Sequence, residues 1–231
     1  MMVPLKNMMD EIRSDTSGYN TELWHYRVSG NILEWTVQLS SRRDRKGYRT
    51  AVISAGQAIR TLTSRLEELG HYTLIQSFPS LEHPELVASV RLYDTYGSEK
   101  GKSAAQTAAE SIGSCTELLS HLKKVAASNE LNFLNAPEEL SLKDDPACQS
   151  ADFYLLTSRF DNPFYWLKTG YWREEAALIL RKCRLDSRIL HTDITTFYDG
   201  IRHREGPLQN SCIQAAVYLC RSPEVQALTV Q

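Results

Sequence analysis

The chain has 231 residues, 42% hydrophobic and 23% charged, so it is long enough to bury a core and lies within the globular range. Its 26 Lys and Arg stand against 28 Asp and Glu, a net charge of −2 with a pI near 6.3 that offers no global field for nucleic acid or anionic membrane. No stretch reaches the roughly 18 apolar residues of a membrane span, and the first fifteen residues lack a signal-peptide core. The expectation is a cytoplasmic protein with a small-molecule or protein partner, and neither nucleic acid nor membrane.

In chain order, the first clear element is a hairpin from His25 to Leu39. Its strands, with Leu33, Trp35, Val37 and Leu39 alternating in the second, flank Ser29-Gly30-Asn31, where glycine supplies a positive φ. Ser40 to Arg49, carrying Arg42, Arg43, Arg45, Lys46 and Arg49, reads as a solvated basic loop that is also fit to hold a phosphate. The spacing of Ala55, Ile59, Leu62, Leu66 and Leu69 predicts a helix closed by Gly70. A strand follows over Tyr72 to Phe78, then a short helical segment over Pro84 to Val90 leading into Arg91-Leu92-Tyr93.

Asp94 to Ser114 is rich in Gly, Ser, Ala and Lys and reads as a linker between two halves, 1–93 and 115–231. Ser114 with Glu117 forms a capping box for a helix whose buried stripe is Leu118, Leu119, Leu122 and Val125. Strands are expected near Leu131 to Leu134 and over Phe153 to Thr157, and then a long helix from Phe164 to about Arg184 with Pro163 at its first position. A weak strand at Ile189-Leu190, a loop with a short helix over His191 to Pro207, and a core strand over Ile213 to Cys220 complete the pattern. The whole reads as α+β.

The five cysteines are odd in number and form no CxxC pair, so they read as reduced thiols; Cys183, between basic neighbours, comes nearest to a reactive thiol, but on a helical segment a small buried thiol is the preferred reading. The six histidines show no metal-ligand spacing. Two helices share a plan, Ser54-Ala55-Gly56 running to Gly70 and Lys168-Thr169-Gly170 running to Arg184, each followed by a strand, which suggests an internal duplication. Glycine inside a helix costs up to about 1 kcal/mol against alanine, so its matched placement implies close packing. Helix against helix and backbone against a flat ring are both open readings. Tyr165, Trp166, Tyr171 and Trp172 are likewise either core or interface residues or the walls of an aromatic slot.

Three stretches resemble the flavin nitroreductase superfamily, most closely its Acg-like branch, in which one chain carries two nitroreductase-like halves. Thr16-Ser17-Gly18-Tyr19-Asn20-Thr21-Glu22-Leu23-Trp24 with the following Arg27-Val28-Ser29-Gly30 resembles that branch's P-S-x-H-N-T-Q-P-W and R-V-x-G. Arg49 with Ile53-Ser54-Ala55-Gly56-Gln57-Ala58 is similar to its R-E-L-x-I-S-x-G-A-A, and Trp166-Leu167-Lys168-Thr169-Gly170 to its W-L-x-A-G. The resemblance implies a nitroreductase-like sheet flanked by helices, with FMN in a groove between two halves or two subunits, in a homodimer or a pseudo-dimeric monomer. Ser17, Asn20, Glu22, Arg49, Gly56, Gly170 and Arg173 are the cofactor-binding positions it implies, with no catalytic residue and no metal assigned.

Its functional implication is an FMN-dependent oxidoreductase acting on a small molecule, in a biosynthetic or detoxification pathway, with NAD(P)H or a reductase as electron source. The alternatives are a non-catalytic FMN-binding, storage or interaction protein on a degenerate nitroreductase fold, and a protein that cleaves flavin. Four departures bear on the choice. Glu22 stands where the branch has a neutral amide, Leu23 replaces Pro and Tyr19 replaces His. The branch's arginine-rich segment has no close counterpart, leaving Lys100 and Lys102, or Arg173, Arg202 and Arg204, for a phosphate.

Overall fold

The computed structural model describes residues 5–15, 21–38, 45–94, 107, 110, 112–136, 151–182, 187–188 and 211–220. By contact the chain divides into two units, one of residues 1–107 with 166–175, the other of 108–165 with 176–231. The secondary structure is mixed, with four helices and two antiparallel four-stranded sheets among the described residues, as expected of an α+β chain.

The first unit opens with helix α1 (Leu5–Asp15), whose Leu5, Met9 and Ile12 recur at helical spacing and are buried. A single 3₁₀ turn (Thr21–Leu23) leads into β1 (Trp24–Ser29) and β2 (Ile32–Val37), joined by the two-residue turn Gly30-Asn31. Gly30 carries a φ of +60° and Asn31 does not share it, the pattern of a type II′ turn, whose twist suits a hairpin. Helix α2 (Arg45–Glu68) then runs through the unit and is buried without a break from Ala51 to Arg60, so it is a central helix rather than a surface one. Gly70, with a φ of +82°, ends it, its N–H donating to the Glu67 carbonyl at 2.9 Å. Strands β3 (His71–Ser77) and β4 (Leu86–Asp94) complete a sheet of order β1-β2-β4-β3. The core lies where Leu33, Trp35, Val37, Val90 and Leu92 of this sheet meet Val52, Ala55, Ile59 and Leu62 of α2.

The second half of the sequence repeats the order. Helix α3 (Cys115–Ser128) is capped by Ser114, whose hydroxyl accepts from the Glu117 N–H at 3.2 Å while the Glu117 carboxylate accepts from the Gly113 N–H at 2.8 Å. The Gly113 N–H, aided by the Ser114 hydroxyl and N–H, holds the Glu117 carboxyl below its ordinary pKa. Then come β5 (Asn132–Asn135), β6 (Ala151–Ser158), helix α4 (Pro163–Lys182) with Asn162 accepting from the Tyr165 N–H at its start, β7 (Ser187–Arg188) and β8 (Cys212–Cys220). The sheet order is β5-β6-β8-β7, the same arrangement of first, second, fourth and third strand.

The correspondence extends to an irregularity. In the first sheet the register of β2 on β4 slips between Trp35, opposite Ala88, and Thr36, opposite Leu86. In the second, β6 slips on β8 between Leu156, opposite Ala215, and Thr157, opposite Ile213. Each bulge places one extra residue, Val87 or Gln214, at the matching point of the fourth strand. Both are buried, and Gln214 satisfies its amide by donating to the Ser158 hydroxyl at 2.8 Å. The duplication inferred from the two helices is thus a repeat of the whole αββαββ plan.

Two expectations are corrected. Leu86 to Val90 is strand, not helix: the bulge makes Val87 and Ala88 consecutive buried residues, and that doublet breaks the alternation by which a strand is recognised. Arg45 to Arg49 belongs to the first turn and a half of α2 and not to a loop, since arginine and lysine are good helix formers and Tyr48 among them is 6% exposed. The expected strand at Ile189-Leu190 and the loop over His191 to Pro207 lie outside the described residues, as do Cys183 and most of the expected linker; β7 covers Ser187 and Arg188. No helix among the described residues is long and apolar enough to cross a membrane.

Candidate functional site

The first unit concentrates the polar chemistry around one helix crossing. A methyl group on Gly56 would run into the Leu167 carbonyl and lie 3.0 Å from the Tyr171 backbone nitrogen; one on Gly170 would run into the Ile53 carbonyl and lie 3.1 Å from the Gln57 nitrogen. The relation is reciprocal: each glycine faces the carbonyl three residues before the other and the nitrogen one residue after it. The two backbones therefore touch at this point, and only glycine leaves room for that. Of the two open readings for this pair, helix against helix is the one observed.

One turn along from the crossing, Arg60 is 2% exposed and its Nε donates to the Glu175 carboxylate. Its Nη1 donates to the Thr63 hydroxyl and to the Glu67 carboxylate, both at 3.2 Å, and its guanidinium lies over the Tyr171 ring, 5.4 Å from the centroid. Burial works against the charge on Arg60, but Tyr171, Glu175 and Glu67 outweigh it, so this arginine holds its proton more firmly than usual. Burial also pushes the Tyr171 hydroxyl, hydrogen-bonded to Thr63, above its ordinary pKa. With Thr63 only 1% exposed, this is a satisfied internal network that fixes how the two helices meet.

A second cluster sits at the start of α2. Trp166, 3% exposed, meets the edge of Tyr48 with ring centroids 5.9 Å apart, and the guanidiniums of Arg45 and Arg49 each lie 5.9 Å from its ring centroid. Arg45 and Lys46 are exposed and Arg49 half-buried, so positive charge is gathered at a helix N-terminus over an aromatic floor. Nearby, the buried Trp24 indole donates to the Ser54 hydroxyl at 2.9 Å, tying β1 to α2.

The positions implied by the resemblance separate into three groups. Ser17 and Asn20 lie outside the described residues, as do Lys100, Lys102, Arg202 and Arg204. Glu22 is exposed in the 3₁₀ turn, its backbone carbonyl accepting from Gln38 at 3.5 Å, and Arg49 belongs to the cluster on Trp166. Gly56, Gly170 and Arg173 are interior: the glycines are closed by helix backbone and Arg173 is 7% exposed. Trp166 and Trp172 are core residues, Tyr171 is engaged by Arg60, and Tyr165 packs with Phe160 and Phe164 at its helix start.

The chain matches no family model and no curated protein. Its chemistry rests on its own residues. Tested against FMN, the described side chains fit in part. Arg45, Lys46 and Arg49 offer a phosphate both bidentate and point-charge partners. Glu22 accepts hydrogen bonds and donates none, so it suits a ring N–H and not a ring carbonyl. The two glycines and Arg173 present no free surface to a ligand. Sequence reading missed the Arg60 network. Its signal was a charged residue between Ile59 and Leu62, inside an apolar stripe, with Glu174-Glu175 at the corresponding point of the other helix.

Proposed function

We propose that the protein is a flavin-dependent oxidoreductase of the two-half nitroreductase kind, acting on a small molecule. The observation that carries this reading is the repeated αββαββ plan, with the same strand order and the same bulge in both units, which is the organisation the Acg-like resemblance calls for. The reciprocal glycine contact supports it further, because it joins the two helices on which two of the three resembling stretches lie.

FMN, when bound, supplies the two-electron chemistry. On this reading Arg49, with Arg45 and Lys46, binds its phosphate, and Trp166 holds the two guanidiniums in place. Glu22 accepts a hydrogen bond from the ring N–H, and Asn20 bonds the ring edge. Gly56 and Gly170 keep their helices in contact and touch no ligand.

The test is the visible absorbance of the protein purified under native conditions, with identification of the released chromophore. Flavin bands and recovered FMN are expected. A colourless protein that ignores added FMN overturns the proposal. Asn20→Ala is expected to weaken FMN binding by about 1–3 kcal/mol, the cost of an unpartnered polar atom.

The carboxylate at Glu22 favours a second reading, an FMN-binding protein without turnover. Bound FMN that neither NADH, NADPH nor a partner reductase reduces would establish it. Restored reduction in Glu22→Gln would identify that side chain as the cause.

A further inference from the structure

We propose that the free edge of the first sheet is a contact surface for a second copy of this chain, the two β3 strands pairing antiparallel about a two-fold axis at Leu74. In the sheet order β1-β2-β4-β3 the strand β3 ends the row, and among the described residues no strand pairs its far edge. Natural sheets blunt such an edge with charge, proline or a bulge. The strand His71-Tyr72-Thr73-Leu74-Ile75-Gln76-Ser77 holds no lysine, arginine, carboxylate or proline, and its register on β4 runs unbroken from His71 to Ser77. The opposite edge strand, β1, carries Arg27 in mid-strand.

The phase of the hydrogen bonds fixes which backbone groups that edge presents. Phe78 donates to the Val87 carbonyl at 2.9 Å, so Gln76, Leu74 and Tyr72, at even spacing from it, turn their N–H and C=O towards β4. Leu92, opposite Thr73, spends both of its groups on Asn31, its N–H on the Asn31 carbonyl and its C=O on the Asn31 amide, each at 2.8 Å. Thr73 and Ile75 therefore direct theirs outward from the sheet. A two-fold axis at Leu74 sets Thr73 against the second copy's Ile75, and Ile75 against its Thr73. These are two hydrogen-bonded pairs, which together exchange four N–H···O bonds.

The side chains suit the same axis. Tyr72 and Leu74 are 59% and 50% exposed, and Tyr93 of β4 lies beside Tyr72 with ring centroids 6.2 Å apart. Leu74 meets the second copy's Leu74 in a non-hydrogen-bonded pair, where side chains approach most closely, and Tyr72 lies opposite its Gln76 and diagonal to its Leu74. The strand itself carries no charge. Arg91, beside Leu74 on β4, stands three strand spacings, about 14 Å, from its own copy, beyond the reach of screened repulsion. A neutral, self-matching strand is why the occupant is a second copy and not an arbitrary extended peptide. The two sheets then join edge to edge across the axis. One strand pair is small for an interface, so the association is weak and depends on concentration. No residue of this edge is among the proposed flavin positions, and the pairing does not rest on that reading.

Sedimentation equilibrium of the full chain as purified, at loadings up to about 1 mM, is the experiment. A reversible association of two copies is expected. Leu74→Lys sets two ammonium groups against each other and removes the apolar pair, so the dissociation constant should rise about tenfold or more. Phe160→Lys, which removes a residue 51% exposed in the second half of the sequence, is the control and leaves the association unchanged. Cysteine cross-linking reads the register and keeps the test intact if the lysine variant does not fold. Residues in a non-hydrogen-bonded pair have Cα atoms about 4.5 Å apart, within disulfide reach, so Leu74→Cys should form a covalent dimer on oxidation well beyond that of the parent chain. Tyr72→Cys should not, because its own copy lies four residues off, about 13 Å away. A monomer at every loading, a dimer that Leu74→Lys leaves intact, or cross-linking of Tyr72→Cys equal to that of Leu74→Cys overturns the proposal.

Discussion

Replacing Gly170 with alanine sets two known energies against each other. In a free helix the change is favourable by about 1 kcal/mol, because alanine gives up less backbone entropy. Here the added methyl meets the Ile53 carbonyl, a backbone atom that cannot rotate aside, so the helices must separate. Overpacking of this kind costs typically about 1–3 kcal/mol, and a backbone obstacle puts it at the upper end. The net expectation is a loss of about 2 kcal/mol, or a fall of roughly 1 M in the urea midpoint for an m-value near 2 kcal/mol/M. Intrinsic fluorescence is the right probe, since all four tryptophans, Trp24, Trp35, Trp166 and Trp172, are buried and belong to the first unit. Gly56→Ala should behave alike, and the double variant should lose less than the sum, because the first methyl already parts the helices. A Gly170→Ala midpoint equal to or above that of the parent would refute the close crossing.

The Arg60 network offers a thermodynamic cycle. Glu175→Ala strands a guanidinium that is 2% exposed and should cost about 3 kcal/mol, while Arg60→Met with Glu175→Leu should recover most of it, both read by urea unfolding. A loss below about 1 kcal/mol for Glu175→Ala would show the pair to be solvated. Tyr26 supplies a pH test: burial, followed by the hydrogen bond to Asp10, pushes its hydroxyl up to about 12. Its contribution to stability is therefore whole below pH 10, the ordinary phenol value, and is lost as pH rises towards 12. Tyr26→Phe should flatten the decline in stability over that window. Phenolate absorbance titration that shows no tyrosine lost from the high end in this variant would refute the assignment.

Where local rules and tertiary packing agree, the elements were legible in the sequence. The hairpin at Gly30, the Gly70 stop, the Ser114 box and the Pro163 start each rest on a few adjacent residues, and each is found where expected. Helix α1 is not among the predicted elements, although Leu5, Met9 and Ile12 mark it at helical spacing. Strand β4 is not legible locally because a bulge is set by the partner strand and leaves no mark of its own beyond the Val87-Ala88 doublet. Site residues were harder. The glycines were found by their matched positions, but only the structure distinguishes a helix from a ring as the facing surface.

The crossing helix also carries a consequence for the order of synthesis. Residues 166–175 complete a unit whose other members end at 107, so the ribosome must make some seventy further residues before the first unit can close. At about 5–20 residues per second that is a wait of roughly 3–14 s. Throughout it Arg60 lacks Glu175, and the floor under Arg45 and Arg49 lacks Trp166. A fragment cut after residue 107 inherits the same deficit permanently, with the Gly56 face open to whatever apolar surface it meets. Residues 166–175 supplied as a separate peptide are the missing piece such a fragment should bind.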